Sequence, residues 1–116
     1  MKYMLLMYAS EVVWTDSERE ACFVESAHIA HQLTIRGQYL EANPLHSVAT
    51  ATSVQVRNGK RLLTDGPFAE TREQLCGYVL VEAHNLDDAI ELAGQLPNAS
   101  HGTVEIRPIL ERAAVA

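Results

Sequence analysis

The side chains best equipped for chemistry are concentrated between Asp65 and Gly77, in the stretch DGPFAETREQLCG. Asp65 and Glu70 are candidate catalytic acids or bases, because a carboxyl group that is partly buried has its pKa raised towards neutrality. Arg72 offers a fork of N–H donors that matches a substrate carboxylate. Thr71 and Glu73 can orient a ligand or cap a local turn. Arg107, in VEIRP near the C-terminus, is a second candidate anchor. Flanked by Ile106 and Pro108 it needs a partner, for which Glu70 or Glu73 serves, with Glu105 read as pointing to the opposite face. Such equipment suits proton transfer beside a carbonyl on a small anionic substrate, as in an isomerase or lyase without a cofactor. The plainer alternative is a solvated connection whose charges do no chemistry, which is what most charged residues are.

Other residue types add less. His28 and His31 are three apart, so they can meet on a helix surface. A catalytic zinc needs a third ligand, which His46, His84 or His101 supplies only if the fold brings it close. His31 is kept as a candidate ligand-binding residue, and no metal or cofactor is expected. Cys22 and Cys76 read as reduced, packed thiols, since a free cysteine behaves as a small hydrophobe. The chain has no C-x-x-C, no G-x-S-x-G, no P-loop and no dinucleotide fingerprint.

The elements that must position these groups follow from pattern. Asp65-Gly66-Pro67 is turn chemistry, and a helix cannot run through it. Phe68 is expected to anchor that turn to the core. Lys2 to Tyr8 is a nearly continuous apolar run of strand length, suited to the middle of a sheet with both faces buried. Thr15 with Glu18 makes a capping box, which predicts a helix from about Ser17 to Ile35 that stops at Gly37. Its core stripe is Cys22, Phe23, Ala30 and Leu33, flanked by Ala27 and Ile29. Val24, His28, His31 and Ile35 form a second stripe on its back, with the spacing of a contact to a partner subunit or an extra element. Gln38 to Ala42 is a strand broken by Asn43-Pro44, and Leu45 to Ala51 is a loop or an irregular edge. Thr52 to Arg57 and Lys60 to Thr64 flank Asn58-Gly59, the strongest short hairpin signal, with a type I′ turn. Leu75 to Ala83 is a strand in which Gly77 marks a bulge or a close backbone contact. Asn85 caps a second helix with an Ile90, Ala93, Leu96 stripe, ended by Pro97-Asn98. Thr103 to Leu110 is the last strand, and Glu111 to Ala116 reads as a frayed tail.

Without the hairpin the order is βαββαβ, the ferredoxin-like α+β arrangement in one domain spanning 1–116. Helices cover one face of its sheet, and a second subunit is the cheapest cover for the other. Nine basic against fifteen acidic residues, a net charge of −6, argue against a nucleic-acid partner. No run approaches the eighteen apolar residues of a membrane span, and the N-terminal run is too short and too soon charged for a leader. A cytoplasmic location is expected.

DGPFAETREQLCGY resembles the signature of the DGPF proteins, a branch of the YCII-related superfamily. Val54-Gln55-Val56-Arg57 resembles that family's TVR-type strand, and Val104-Glu105-Ile106-Arg107-Pro108 its EVRP ending. The resemblance implies a ferredoxin-like fold paired into a dimeric α/β barrel, with a cleft for a small molecule at the signature. It implies no known reaction. Members often stand beside, or fused to, extracytoplasmic-function sigma factors, which implies an accessory role as the alternative. Members of the wider superfamily are similar to one another in a helix-one histidine and a following aspartate, thought to act as an acid/base pair. The matching positions here are Ser26 and Ile35, so that pair is absent.

Overall fold

The computed structural model describes residues 1–12 and 14–112. Along the chain these form β1 (Lys2–Ala9), α1 (Asp16–Ile35), β2 (Tyr39–Pro44), β3 (Thr52–Arg57), β4 (Lys60–Asp65), β5 (Gln74–Glu82), α2 (Leu86–Gly94), α3 (Asn98–His101) and β6 (Thr103–Pro108). Four strands make one antiparallel sheet in the order β2-β5-β1-β6, while β3 and β4 make a separate two-stranded ribbon. The order is compatible with a ferredoxin-like βαββαβ unit carrying an extra hairpin. The sheet of one chain is open rather than closed into a barrel.

The apolar run of β1 sits in the middle of the sheet, as expected, between β5 and β6. It is not buried on both faces. Tyr3, Leu5 and Ala9 are buried, whereas Met4, Leu6 and Tyr8 on the other face are only half-buried. Alternation assigns the faces. Leu5 pairs with Val79 and Ile106, and Tyr3 with Val81, on the covered side. There Leu33 and Ile29 of α1, together with Ala89, Leu92, Ala93 and Leu96, complete the core. Burying a side chain such as Leu5 contributes about 2 kcal/mol.

The caps were legible. The Thr15 hydroxyl accepts from the Glu18 N–H at 3.1 Å and donates to the Glu18 carboxylate at 3.1 Å. At the other end Gly37 takes φ +72°, its N–H donates to the Thr34 carbonyl, and the Gln38 N–H donates to the Leu33 carbonyl at 2.8 Å. This is a Schellman closure, which needs a residue that tolerates positive φ. Asn58 and Gly59 both have positive φ, as a type I′ turn requires. Asn85 accepts from the Asp88 N–H at 2.9 Å.

Several expectations are corrected. The α1 stripe is shorter than the wheel suggests: Ile29 and Leu33 are buried, but Phe23 is 53% exposed, so the N-terminal half of the helix stands away from the sheet. On α2 the buried stripe is Ala89, Leu92 and Ala93, continuing to Leu96, and Ile90 faces outward. β2 continues through Asn43 to Pro44, which an edge strand accommodates because the missing N–H faces away from the ladder. Leu45 to Ala51 contains a short 3-10 turn at Val48–Thr50. Phe68 is 87% exposed and anchors nothing within its own chain. The frayed-tail reading falls partly on residues 113–116, outside the described residues.

Candidate functional site

Because α1 touches the sheet mainly through its second half, a cavity of about 770 Å³ opens beneath its first half. The floor is the covered sheet face, with Met7 and Ala9 of β1, Ala42 of β2 and Val79 of β5. The roof is the α1 face that carries Cys22, Phe23, Ser26 and Ala30. Leu96 and Asn98 close one end. Glu11, Trp14, Arg19, His46 and Ser47 stand around the rest. The walls are mostly apolar with a few placed polar groups, the usual make-up of a small-molecule site.

Asn98 is the centre of its polar chemistry. It is 5% exposed, at the start of α3 and directly after Pro97. Its Nδ2 donates to Cys76 Sγ at 3.3 Å, and its Oδ1 accepts from Cys22 Sγ at 3.8 Å. One buried amide thus joins a helix thiol to a sheet thiol. Cys76 lies where the register of β5 against β1 slips, and its thiol also donates to the Met7 carbonyl at 3.2 Å. The adjacent Gly77 leaves room for that slip: a Cβ there would stand 3.0 Å from the Asn43 carbonyl oxygen. Burial pushes both thiols up. A hydrogen bond with Ser26 partly offsets this for Cys22, and the one from Asn98 does so for Cys76. They are therefore neutral thiols at physiological pH, suited to contact rather than to nucleophilic attack.

The mouth is held by Glu11. Its carboxylate accepts from the Val48 N–H at 2.8 Å and from the Ser47 hydroxyl at 3.2 Å, which ties the 45–50 segment to the loop after β1. The Glu11 N–H donates to Gln74 Oε1 at 3.1 Å, and Arg19 Nη2 donates to the Glu11 carbonyl at 2.8 Å. Arg19, which also pairs with Asp16 at 3.4 Å, and His46 bring nitrogen groups to this rim. Trp14 stacks obliquely on His101, ring centroids 5.0 Å apart.

One part of the signature, Thr71 to Gln74, lies at a second, more open depression. Thr71, Arg72, Glu73 and Gln74 line it together with Tyr8, Thr103 and Glu105. Thr71 and Gln74 fold the segment on itself: the Thr71 hydroxyl donates to the Glu73 carbonyl and Gln74 Nε2 to the Thr71 carbonyl, each at 2.6 Å. Glu73 accepts from the Thr103 hydroxyl at 2.7 Å, which pins the segment to β6. Asp65 ends β4 opposite Thr52 and is exposed, as is Glu70. His31 is exposed on α1, and His28 bonds Gln32 at 3.2 Å. Asp65, Glu70, His31 and Arg107 line neither hollow. Arg107 pairs with Glu105 at 3.3 Å rather than with Glu70 or Glu73. Residues two apart share a strand face, so Glu105 lies beside Arg107 and not opposite it.

Among the described residues no three His, Cys, Asp or Glu side chains are grouped as metal ligands. Ser26, where the resemblance places a histidine in other members, lines the cavity, whereas Ile35 is 74% exposed at the far end of α1. Sequence reasoning missed Asn98, Trp14, Arg19 and Glu11. Asn98 read as a helix stop after Pro97, and its link to thiols far away in sequence had no local signal.

Compared with known proteins, residues 1–113 match the model of the YCII-related domain. The chain belongs to the YCII-related family. It is also 36% identical over 118 residues to an uncharacterized protein of Rhizobium meliloti (strain 1021), a match that covers 94% of this chain and 92% of that one. No helix among the described residues is long and apolar enough to cross a membrane.

Proposed function

We propose that this YCII-related protein binds a small molecule in the cavity under α1 and works as a homodimer. The observation that carries the first part is Asn98. A buried amide that links two neutral thiols at the wall of an apolar, roughly 770 Å³ hollow is a specific polar anchor in a site that otherwise selects for apolar surface. Arg19, His46 and the Glu11 carboxylate at the rim favour a ligand with a polar end. The signature serves this site from behind: it contributes Cys76 to the wall and holds the Glu11 loop through Gln74.

The dimer is supported by the open sheet face. Met4, Leu6, Tyr8 and Leu80 lie on that face, each only half-buried within one chain. A second copy packed face to face would make the dimeric α/β barrel expected of a DGPF-type member. It would also enclose the depression lined by Thr71, Arg72 and Glu73. Acid–base chemistry by Asp65 or Glu70, as in an isomerase or lyase, needs those exposed carboxylates to be enclosed by that second copy. The exposed apolar surface equally suits an accessory module that docks on another protein, a sigma factor included.

The test is a thermal-shift screen against small carboxylates and carbonyl compounds, repeated on Ser26→Phe, Asp65→Asn and Glu70→Gln. A ligand at about a hundred times its Kd adds roughly 2.7 kcal/mol to stability. A shift lost in Ser26→Phe and kept in the two carboxylate variants places binding under α1. A shift lost in the carboxylate variants and kept in Ser26→Phe moves the site to the signature.

A further inference from the structure

The cavity under α1 is a slot. Its roof is one stripe of the helix, because Arg19, Cys22, Ser26, Ala30 and Leu33 recur every three or four residues and so face one way. From Arg19 to Leu33 the helix runs about four turns, or about 21 Å along its axis. A hollow of 770 Å³ spread over that length has a mean section of about 37 Å², so it is about three times longer than wide. Small residues open it on both sides, Ala27 and Ala30 above and Ala9 and Ala42 below.

Polarity falls along the slot. Glu11, Arg19, His46 and Ser47 stand at the N-terminal end of α1. Next come Cys22, Cys76 and Asn98, where the amide is already engaged with both thiols and the wall presents sulfur, which packs well against hydrocarbon. Beyond Ser26 the roof is Ala27, Ile29, Ala30 and Leu33. Ile29 and Leu33 join Val79 and Leu96 in the core, with Met7 and Ala42 packed against them, so the inner end is apolar.

The charges at the outer end are matched within the chain. Glu11 accepts from the Val48 N–H and the Ser47 hydroxyl, while Arg19 pairs with Asp16 and donates to the Glu11 carbonyl. A small anion would meet a carboxylate and an arginine that already has partners. Affinity in such a site comes from apolar surface removed from water.

We propose that the slot takes a single-chain amphiphile: an unbranched hydrocarbon chain lying under α1 with its tip near Leu33, and an uncharged head, a hydroxyl or carbonyl, at the rim formed by Glu11 and His46. This rests on the reading that the cavity binds a small molecule, and it names the class of that molecule.

The experiment is calorimetric titration with hexanol, octanol, decanol and dodecanol, with decanoate and the bicyclic decahydro-2-naphthol for comparison. Each buried methylene adds a constant increment, so affinity should rise about fourfold per carbon until the slot is full and then level off. Decanol should bind more tightly than decanoate or the bicyclic alcohol. Ala30→Phe and Ala42→Leu fill the inner half from opposite walls. Each should keep its circular dichroism and end the rise several carbons earlier; because they lie on different elements, loss of fold in one leaves the other to decide. A rise that continues unchanged in both variants puts the chain on another surface and overturns the inference. Tighter binding of decanoate or the bicyclic alcohol overturns the chain class alone. So does an absence of alcohol binding while a small carboxylate or carbonyl compound still binds and is lost in Ser26→Phe; the cavity reading then stands. If no compound binds in a way that Ser26→Phe abolishes, both fall.

Discussion

Replacing Asn98 by alanine tests whether the amide holds the cavity wall together. The substitution removes two hydrogen bonds that involve sulfur, at 3.3 and 3.8 Å, and truncates a side chain in a site that is 5% exposed. Bonds to thiols sit at the weak end of the usual 0.5–1.5 kcal/mol, so the pair contributes about 1 kcal/mol. Lost packing adds about 1 kcal/mol more. With an unfolding entropy of about 2.1 cal/mol/K per residue, a chain of this size melts about 8 °C lower for a 2 kcal/mol loss. Calorimetry measures that shift, and a double-mutant cycle assigns it. In a Cys22→Ala, Cys76→Ala background the same substitution should cost about half as much, because the sulfur partners are already gone. An equal cost in both backgrounds would refute the reasoning: Asn98 would then be a packing residue with no tie to the thiols.

The remaining predictions concern pH, a close approach and a cap. Burial raises both thiols above their ordinary value of 9.0, so the folded chain holds these protons more tightly than the unfolded one. Their contribution is fully present below that value and is lost as pH rises through the raised folded values. Denaturant midpoints of the wild type should therefore fall more steeply than those of the Cys22→Ala, Cys76→Ala variant above pH 9, with parallel profiles at pH 7–8. Gly102→Ala should melt roughly 4–12 °C lower, because a Cβ there would overlap the Tyr8 carbonyl oxygen and strand β1 would have to move. Thr15→Ala removes the α1 cap and should cost about 1 kcal/mol, read as a melting point lower by about 4 °C.

Local chemistry was legible wherever neighbours in sequence decide the outcome. Asn58-Gly59, Thr15 with Glu18, Gly37 and Asn85 all act through bonds or dihedrals within a few residues, and each does what its type predicts. The observed sheet order β2-β5-β1-β6 is compatible with the ferredoxin-like unit that the order of elements along the chain implies. The cavity was not legible. Its walls come from β1, α1, β2, β5 and α3, and its key amide lies 76 residues from one thiol and 22 from the other. Phe23 and Phe68 misled for one reason: an aromatic residue in a periodic stripe or beside a turn reads as core, yet both are exposed in the chain alone.

Those two phenylalanines belong with a wider feature of the fold. α1 buries only Ile29 and Leu33, both in its second half, and that economy makes the cavity. Had Phe23 reached the sheet it would fill the space that Cys22, Ser26 and Asn98 now share. The helix is held at its N-terminal end by polar bonds instead, from Arg19 to the Glu11 carbonyl and from Glu11 to the Val48 N–H and the Ser47 hydroxyl. A ligand under α1 would supply the apolar contact that the helix lacks, so binding and docking of its first half should be one event. Hydrogen exchange of the amides in 19–27 reads this directly: a bound ligand should slow them severalfold while amides around Ile29 to Leu33 change little. Uniform slowing along the helix would mean that the first half is already docked without ligand.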